Sequence, residues 1–261
     1  MSRYSEKHIR KDSWVKKMLR TYNPELLAAL IEKRIKHPNS TGPFITTNET
    51  SVDIINAYST EGPEDFKEKI EPAVGLLLYK SLHGHMEASN DFLRHLFLII
   101  RESKFVACHT LLQNWINKNA SFLTSKRTDK QDAMRDALMA FAKIQNKDSG
   151  IEEYWINIWQ EGQAHFWPVA FYGLRLQNPE SACKELPLLV SRKISNNMDK
   201  VQPLISGMWN DLQARPHLER AIKRGLNENT GWAGLVLNLV LEKMDEKQKS
   251  EVMESLKERH D

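Results

Sequence analysis

Residues 23–36, NPELLAALIEKRIK, carry several signals of an α-helix in one short run. Asn23 stands where a helix N-cap is expected, and its side-chain oxygen can accept a hydrogen bond from a backbone N–H that has no partner inside the helix. Pro24 follows at the first helical position, where no N–H donor is needed, and Glu25 lies near the positive end of the helix dipole. Residues 178–180 repeat the order Asn-Pro-Glu, so the sequence predicts at least two helices that begin in this way.

Signals of β-structure are missing from the rest of the chain. Asn-Gly, Asp-Gly and Gly-Gly pairs, which favour tight hairpins, do not occur in the 261 residues,. Apolar residues instead recur with the 3.6-residue period of a helix. This period predicts helices at 5–21, 24–37, 49–59, 64–82, 89–102, 104–118, 128–146, 150–161, 165–177, 179–194, 198–213, 215–225, 230–243 and 245–259. We therefore expect an all-α fold without significant sheet.

Three prolines in the carboxy-terminal half suggest how these helices are arranged. Pro168, Pro187 and Pro203 each precede an apolar pair, and the first and last are 35 residues apart, close to the length of one helical hairpin in a solenoid,. Pro187 lies inside a predicted helix, where it should cause a kink. Kinked helices of this kind resemble those of HEAT-type repeats. The sequence thus predicts a right-handed helical-hairpin array, a HEAT-like α-solenoid, or else a large helical bundle.

Charge separates the amino-terminal segment from the remainder. Residues 1–36 contain ten Lys or Arg and four Asp or Glu, an excess of six, whereas the whole chain has a formal net charge of +3. On the first predicted helix, apolar residues take one side and basic residues the other. The candidate partner or nucleic-acid surface consists of Arg10, Lys16, Lys17 and Arg20,. We expect basic helices and a loop at 1–48, packed on one continuous helical body at 49–261.

Composition indicates a cytoplasmic protein. The amino terminus lacks the apolar core of a signal peptide, and the longest apolar run, residues 96–100, is too short to insert into a membrane,. Two cysteines without a Cys-x-x-Cys motif are typical of a reducing compartment.

A cluster of histidines raises the question of a metal site. His83, His85, Asp91 and His95 are metal-ligand candidates, and Asp91 and His95 are four residues apart on one helix face,. The same residues also fit a turn between two helices, with Gly84 in a left-handed conformation and Ser89 or Asn90 capping the next helix. The spacing matches no standard metal motif, so we favour the turn and expect neither metal nor cofactor.

Aromatic residues concentrate at 154–172. Trp155 and Trp159 are four residues apart on one helix face, and Trp167 follows on the next predicted helix. An aromatic stripe at this spacing is typical of a core. The alternative is an aromatic groove on the concave side of a solenoid, where these side chains would contact a peptide or an extruded base.

His-Glu-x-x-His, Asp-Asp-x-x-Asp and phosphate-binding glycine loops do not occur in the sequence,. Arg3 and His8 have the Arg-x4-His spacing of HEPN-type ribonucleases, but so short a pattern near a terminus is expected by chance. A non-catalytic helical scaffold that binds another protein is therefore the function we favour. One alternative is nucleic-acid binding, with chemistry similar to that of HEAT-like DNA glycosylases, which are all-helical and similar in length. Their Trp-rich catalytic segment followed by paired arginines is not recognisable here. Another is a toxin-neutralising protein of a bacterial conflict system. We expect no membrane insertion and no obligate small molecule.

Overall fold

Helices make up the regular structure of the protein in a computed structural model, which describes residues 23–36, 54–55, 63–145, 149–191, 198–242 and 244–257. Thirteen α-helices lie within these ranges and no strand does, which confirms the all-α prediction. Two short 3₁₀ helices, Val106–Cys108 and Ala120–Leu123, complete the regular structure. The α-helices are α1 (Pro24–Lys36), α2 (Pro63–Leu82), α3 (Asn90–Ser103), α4 (His109–Lys118), α5 (Thr128–Ile144), α6 (Ser149–Glu161), α7 (Trp167–Gln177), α8 (Pro179–Lys184), α9 (Leu186–Ser191), α10 (Met198–Trp209), α11 (Arg215–Asn227), α12 (Gly231–Leu241) and α13 (Glu246–Lys257).

Both Asn-Pro-Glu helix starts are confirmed. The Asn23 side-chain oxygen accepts from the backbone N–H groups of Glu25 at 2.9 Å and Leu26 at 3.3 Å. Asn178 caps α8 in the same way, accepting from Glu180 at 3.1 Å and Ser181 at 3.2 Å. These bonds satisfy backbone donors that have no partner within the helix, so the cap residue fixes where each helix begins.

Two helix ends depend on a residue in the left-handed region. Gly84, at φ +74°, ends α2 as predicted, and the N–H of His85 donates to the Lys80 carbonyl at 2.8 Å in a Schellman motif,. Lys104, at φ +50°, ends α3. The chain then enters the short 3₁₀ helix before α4, so the single helix predicted at 104–118 is wrong over its first turn.

The predicted kink at Pro187 is present as a break in the helix. α8 ends at Lys184 and α9 begins at Leu186, so Glu185 stands between two short helices. A proline ring excludes the carbonyl four residues earlier from its usual position, which interrupts the helical hydrogen bonds at this point.

The chain divides into two compact units, 1–146 and 147–261. The helix predicted at 5–21 and most of that at 49–59 lie outside the described residues, as does the boundary expected near residue 48. The proposed division into 1–48 and 49–261 therefore stays a prediction.

In the first unit, α3 packs on α5 and supplies much of the core. On α3 the fully buried residues include Leu96, Phe97 and Ile100. On α5 Leu138 is fully buried and Phe141 nearly so. The two helices are also joined by an ion pair between Arg94 Nε and Asp136 Oδ2 at 2.7 Å. The central position of residues 92–100 agrees with their nearly continuous apolar sequence.

In the second unit, aromatic side chains of α6 and α7 form the centre. Trp155, Trp159, Phe166 and Phe171 are completely buried. Gly173 allows α7 to approach α6, because a Cβ atom at this position would lie 2.4 Å from Trp155 Cε2. Among the residues that the structure describes, none of the helices combines the length and apolar character needed to cross a membrane.

Candidate functional site

The basic residues proposed as a partner or nucleic-acid surface are Arg10, Lys16, Lys17 and Arg20. All four lie outside the described residues, so this surface stays a prediction.

The histidine cluster is spread over a turn and a helix. His83 and His85 are exposed at the end of α2, with ring centroids 6.3 Å apart. Asp91 is exposed, whereas His95 is buried, and the nearest oxygen and nitrogen of this pair are 3.7 Å apart. Burial lowers the pKa of His95, and the charge of Asp91 opposes this shift. Within the described ranges, no three His, Cys, Asp or Glu side chains come together in a way that would hold a metal ion.

The three candidate groove tryptophans belong mainly to the core of the second unit. Trp155 and Trp159 have no exposed surface. Trp159 Nε1 donates to Glu185 Oε2 at 2.9 Å, and Trp167, which is partly exposed, donates from Nε1 to the Gly162 carbonyl at 2.9 Å. The first two side chains are therefore placed as packing residues rather than on an open groove.

A different feature of the second unit has the form of a binding site. It is a surface cleft of about 460 Å³, which lies between the helix pair α8–α9 on one side and α11 on the other, with the start of α12 at one end. The volume falls within the range of clefts that hold small molecules or side chains of a bound peptide. The lining residues are Glu180, Cys183, Lys184, Pro187, His217, Arg220, Ala221, Arg224, Glu228 and Trp232.

Helical periodicity explains why α11 presents one polar face to the cleft. His217, Arg220 and Arg224 are spaced by three and four residues and so lie on the same side of the helix,. Leu218 and Ile222 lie on another side and are fully buried in the unit. The helix thus fills the core with one face and lines the cleft with the other.

The opposite wall depends on the cap at Asn178. Its side-chain oxygen accepts the first N–H groups of α8, while its Nδ2 donates to Glu152 Oε2 of α6 at 3.0 Å. The Ser181 hydroxyl donates to the other oxygen of Glu152. These hydrogen bonds lower the pKa of Glu152, that of Ser181 having the larger effect. The wall of the cleft is therefore joined to α6 by a hydrogen-bonded carboxylate.

A tight turn between α11 and α12 places Trp232 at the end of the cleft. Asn229 has φ +52°, and the N–H of Thr230 donates to the Gly225 carbonyl at 2.8 Å. A Cβ atom at position 225 would lie 2.6 Å from both Trp232 Cζ2 and Ala233 Cβ. Glycine at this position is what allows the indole to pack against α11.

The charges of the cleft are mostly neutralised in pairs. Lys184 Nζ lies 3.3 Å from Glu180 Oε1, and Arg224 Nε lies 3.0 Å from Glu228 Oε1. Arg220 differs from these two cations. Its Nε donates to the Pro216 carbonyl at 3.3 Å, its Nη2 lies 3.2 Å from His217 Nδ1, and no carboxylate of the described chain is at ion-pair distance.

Cys183 forms part of the cleft wall but is not suited to act as a nucleophile. Its side chain is buried. Burial raises the pKa of the thiol to about 12, and the positive charge of Arg220 only partly opposes this shift. The thiol is therefore protonated at neutral pH, whereas reactive cysteines are thiolates. The cleft offers a guanidinium without a carboxylate partner in the described chain, and Pro187 and Trp232 add apolar surface to the same lining, which is an arrangement suited to binding.

Sequence reasoning did not identify Arg220, Arg224 or Trp232 as site residues. The spacing of the basic residues in α11 was visible, but a solvated helix face has the same pattern. Comparisons with protein-family models, with curated proteins and with solved structures find no match for this chain.

Proposed function

We propose that this protein is a non-catalytic interaction module that binds another protein, and that the cleft between α8–α9 and α11 is the binding surface. One observation carries the proposal. The cleft combines a partly exposed tryptophan with an exposed arginine in a volume of about 460 Å³. Tryptophan and arginine are enriched among the residues that contribute most to protein–protein binding.

The arrangement expected for such a module is a HEAT-like helical-hairpin array with helical repeats, located in the cytoplasm. The pairing of consecutive helices supports the array, since α6 packs on α7 and α11 on α12. The two cysteines, both free thiols, support a reducing compartment,. Nucleic-acid binding through the basic residues of the first 36 positions is the alternative, and a salt series with labelled oligonucleotides tests it, because phosphate contacts weaken steeply with salt.

A peptide-display selection tests the proposed function. Random 12-residue peptides are selected on the immobilised full chain, and those recovered are measured against variants by fluorescence anisotropy. Replacing Trp232 by Ala should weaken binding about tenfold or more, which is the effect expected for a tryptophan at the centre of an interface. Ala221→Gln, which fills the cleft with a residue that favours helix, should have a similar effect without removing a packed side chain.

Leu212→Ala provides the matched control. This leucine is 88% exposed and does not line the cleft, so its replacement should leave peptide affinity unchanged. The proposal is refuted if the selection yields no peptides, or if the recovered peptides bind the Trp232 and Ala221 variants as tightly as the wild type. Circular dichroism of each variant shows whether the helical fold is retained.

A further inference from the structure

We propose that the cleft recognises a linear peptide segment that presents one Asp or Glu side chain to Arg220 and a neighbouring apolar side chain to Pro187 and Trp232. This inference rests on the proposed function and deepens it by naming the chemistry of the partner. It uses three properties of the cleft, namely its unpaired cation, its apolar surface and its two carboxylates, Glu180 and Glu228.

The unpaired cation selects a carboxylate. Lys184 and Arg224 already have carboxylate partners at 3.3 and 3.0 Å, so each carries a compensated charge. Arg220 is exposed, and within the described chain its guanidinium makes hydrogen bonds only with a carbonyl and an imidazole nitrogen. A guanidinium has five donors in a planar fork that fits the two oxygens of a carboxylate, so an incoming Asp or Glu finds a geometrically matched partner here.

The apolar part of the cleft selects what lies beside that carboxylate. Pro187 is exposed, and Trp232 keeps part of its indole exposed at the end of the cleft. Burial of an apolar side chain against these two residues contributes affinity that a lone surface ion pair does not provide. A peptide with an acidic residue next to an apolar one would use both features at once.

The two carboxylates of the cleft disfavour a nucleic acid in the same position. Glu180 and Glu228 line the cleft together with the three cations Lys184, Arg220 and Arg224. The net charge of these five side chains is therefore +1. A phosphodiester chain brings a negative charge with every nucleotide and needs a continuous positive surface. A single carboxylate brings one negative charge, which equals the net positive charge of these five side chains.

The test uses peptides from the selection that lose affinity on Trp232→Ala. The prediction is that Asp or Glu is enriched at one position next to an apolar residue, relative to the unselected library. A recovered peptide is synthesised with an acetylated amino terminus and an amidated carboxy terminus, so that a terminal carboxylate plays no part. A second version replaces its enriched Asp or Glu by Asn or Gln.

Binding of both peptides is measured to the wild type, to Arg220→Gln and to Lys223→Gln. Lys223 is on the same helix as Arg220 but does not line the cleft, so its variant controls for the loss of one positive charge. Arg220→Gln in the protein should reduce affinity about tenfold, and so should replacement of the acidic residue in the peptide. This is the order expected for loss of a charge-assisted hydrogen bond. Both changes together should reduce affinity no more than either alone, since they remove the same contact. Lys223→Gln should leave affinity within about twofold of the wild type, as expected for a partly exposed charge outside the contact,.

Each opposing result has a distinct meaning. Peptides that depend on Trp232 but show no enriched acid, and that bind Arg220→Gln as tightly as the wild type, would overturn this inference and leave the proposed function standing. A selection without any Trp232-dependent peptide would overturn both. Displacement of the peptide by single-stranded RNA, in a manner that weakens steeply with salt, would overturn the inference in favour of a nucleic-acid ligand.

Discussion

Replacing Gly173 by Ala adds one methyl group where α7 packs closely on an indole ring of α6. An added Cβ atom would lie 2.4 Å from Trp155 Cε2, 2.5 Å from Cδ2 and 2.7 Å from Cε3. Ordinary carbon contacts begin near 3.4 Å, so the methyl group overlaps the indole by about 1 Å at its nearest atom,. Trp155 has no exposed surface, and its ring cannot rotate into solvent to relieve the overlap.

The size of the effect follows from two opposing contributions. Overpacking of a buried site costs about 3 kcal/mol when the neighbour is a rigid ring, at the upper end of the usual range. Alanine in place of glycine inside a helix stabilises by about 1 kcal/mol. The net loss in the free energy of unfolding should be about 2 kcal/mol, which lowers the urea midpoint by about 1 M for a typical dependence on denaturant.

Urea unfolding followed by tryptophan fluorescence measures this change, since five of the seven tryptophans lie in residues 147–261. Gly234→Ala is the matched control, because Gly234 lies inside α12 and an added Cβ atom would meet nothing within 4 Å. This variant should be stabilised by up to about 1 kcal/mol. If Gly173→Ala unfolds at or above the wild-type urea concentration, the packing argument for α6 and α7 is wrong.

Three further predictions use the caps, the carboxylate and the thiols. In urea unfolding, Asn178→Ala should lower the free energy of unfolding more than Asn23→Ala does. Loss of a cap costs about 1 kcal/mol in each case, and Asn178→Ala also removes the hydrogen bond to Glu152. Equal losses would show that this bond contributes nothing. Since hydrogen bonds lower the pKa of Glu152 in the folded protein, its stabilising effect is fully present above its usual pKa of 4.5 and is lost as the pH falls through the lower folded value,. As the pH falls from about 5 to about 3, the free energy of unfolding of Glu152→Gln should therefore decrease less than that of the wild type. If it decreases equally in the two proteins, the lowered pKa of Glu152 is wrong. Burial raises the pKa of both Cys108 and Cys183 to about 12. Iodoacetamide should therefore label neither thiol in the native protein at about pH 8 but both in urea, which mass spectrometry measures. Rapid labelling of the native protein would refute the burial of these side chains.

Local signals were sufficient to predict most helices and several of their ends. Asn23, Asn178 and Gly84 act through their own side chain or backbone, so their effect can be read from adjacent residues. The end of α3 at Lys104 could not be predicted in this way. Lysine has no special preference for the left-handed region, and burial of Phe105 rather than local sequence accompanies the turn there,.

The candidate site depends on contacts between distant segments, and for that reason it was not predicted. Nothing in residues 215–227 indicates that α8, more than thirty residues earlier, packs beside them. The basic face of α11 alone fits a solvated helix equally well. At His95 the local sequence suggested a site instead. Its spacing from Asp91 fits a pair of metal ligands, whereas the His95 side chain is buried in the core.

The turn between α11 and α12 has a consequence for how this protein can diverge in evolution. A side chain at position 225 is compatible with the packing only if both Trp232 and Ala233 move away or become smaller, because each has an atom 2.6 Å from the added Cβ atom. Substitutions at these three positions should therefore occur together among natural variants. A lineage that keeps the tryptophan of the cleft should also keep the glycine, whereas loss of the tryptophan alone should not free position 225, because Ala233 Cβ would still lie 2.6 Å from an added Cβ atom.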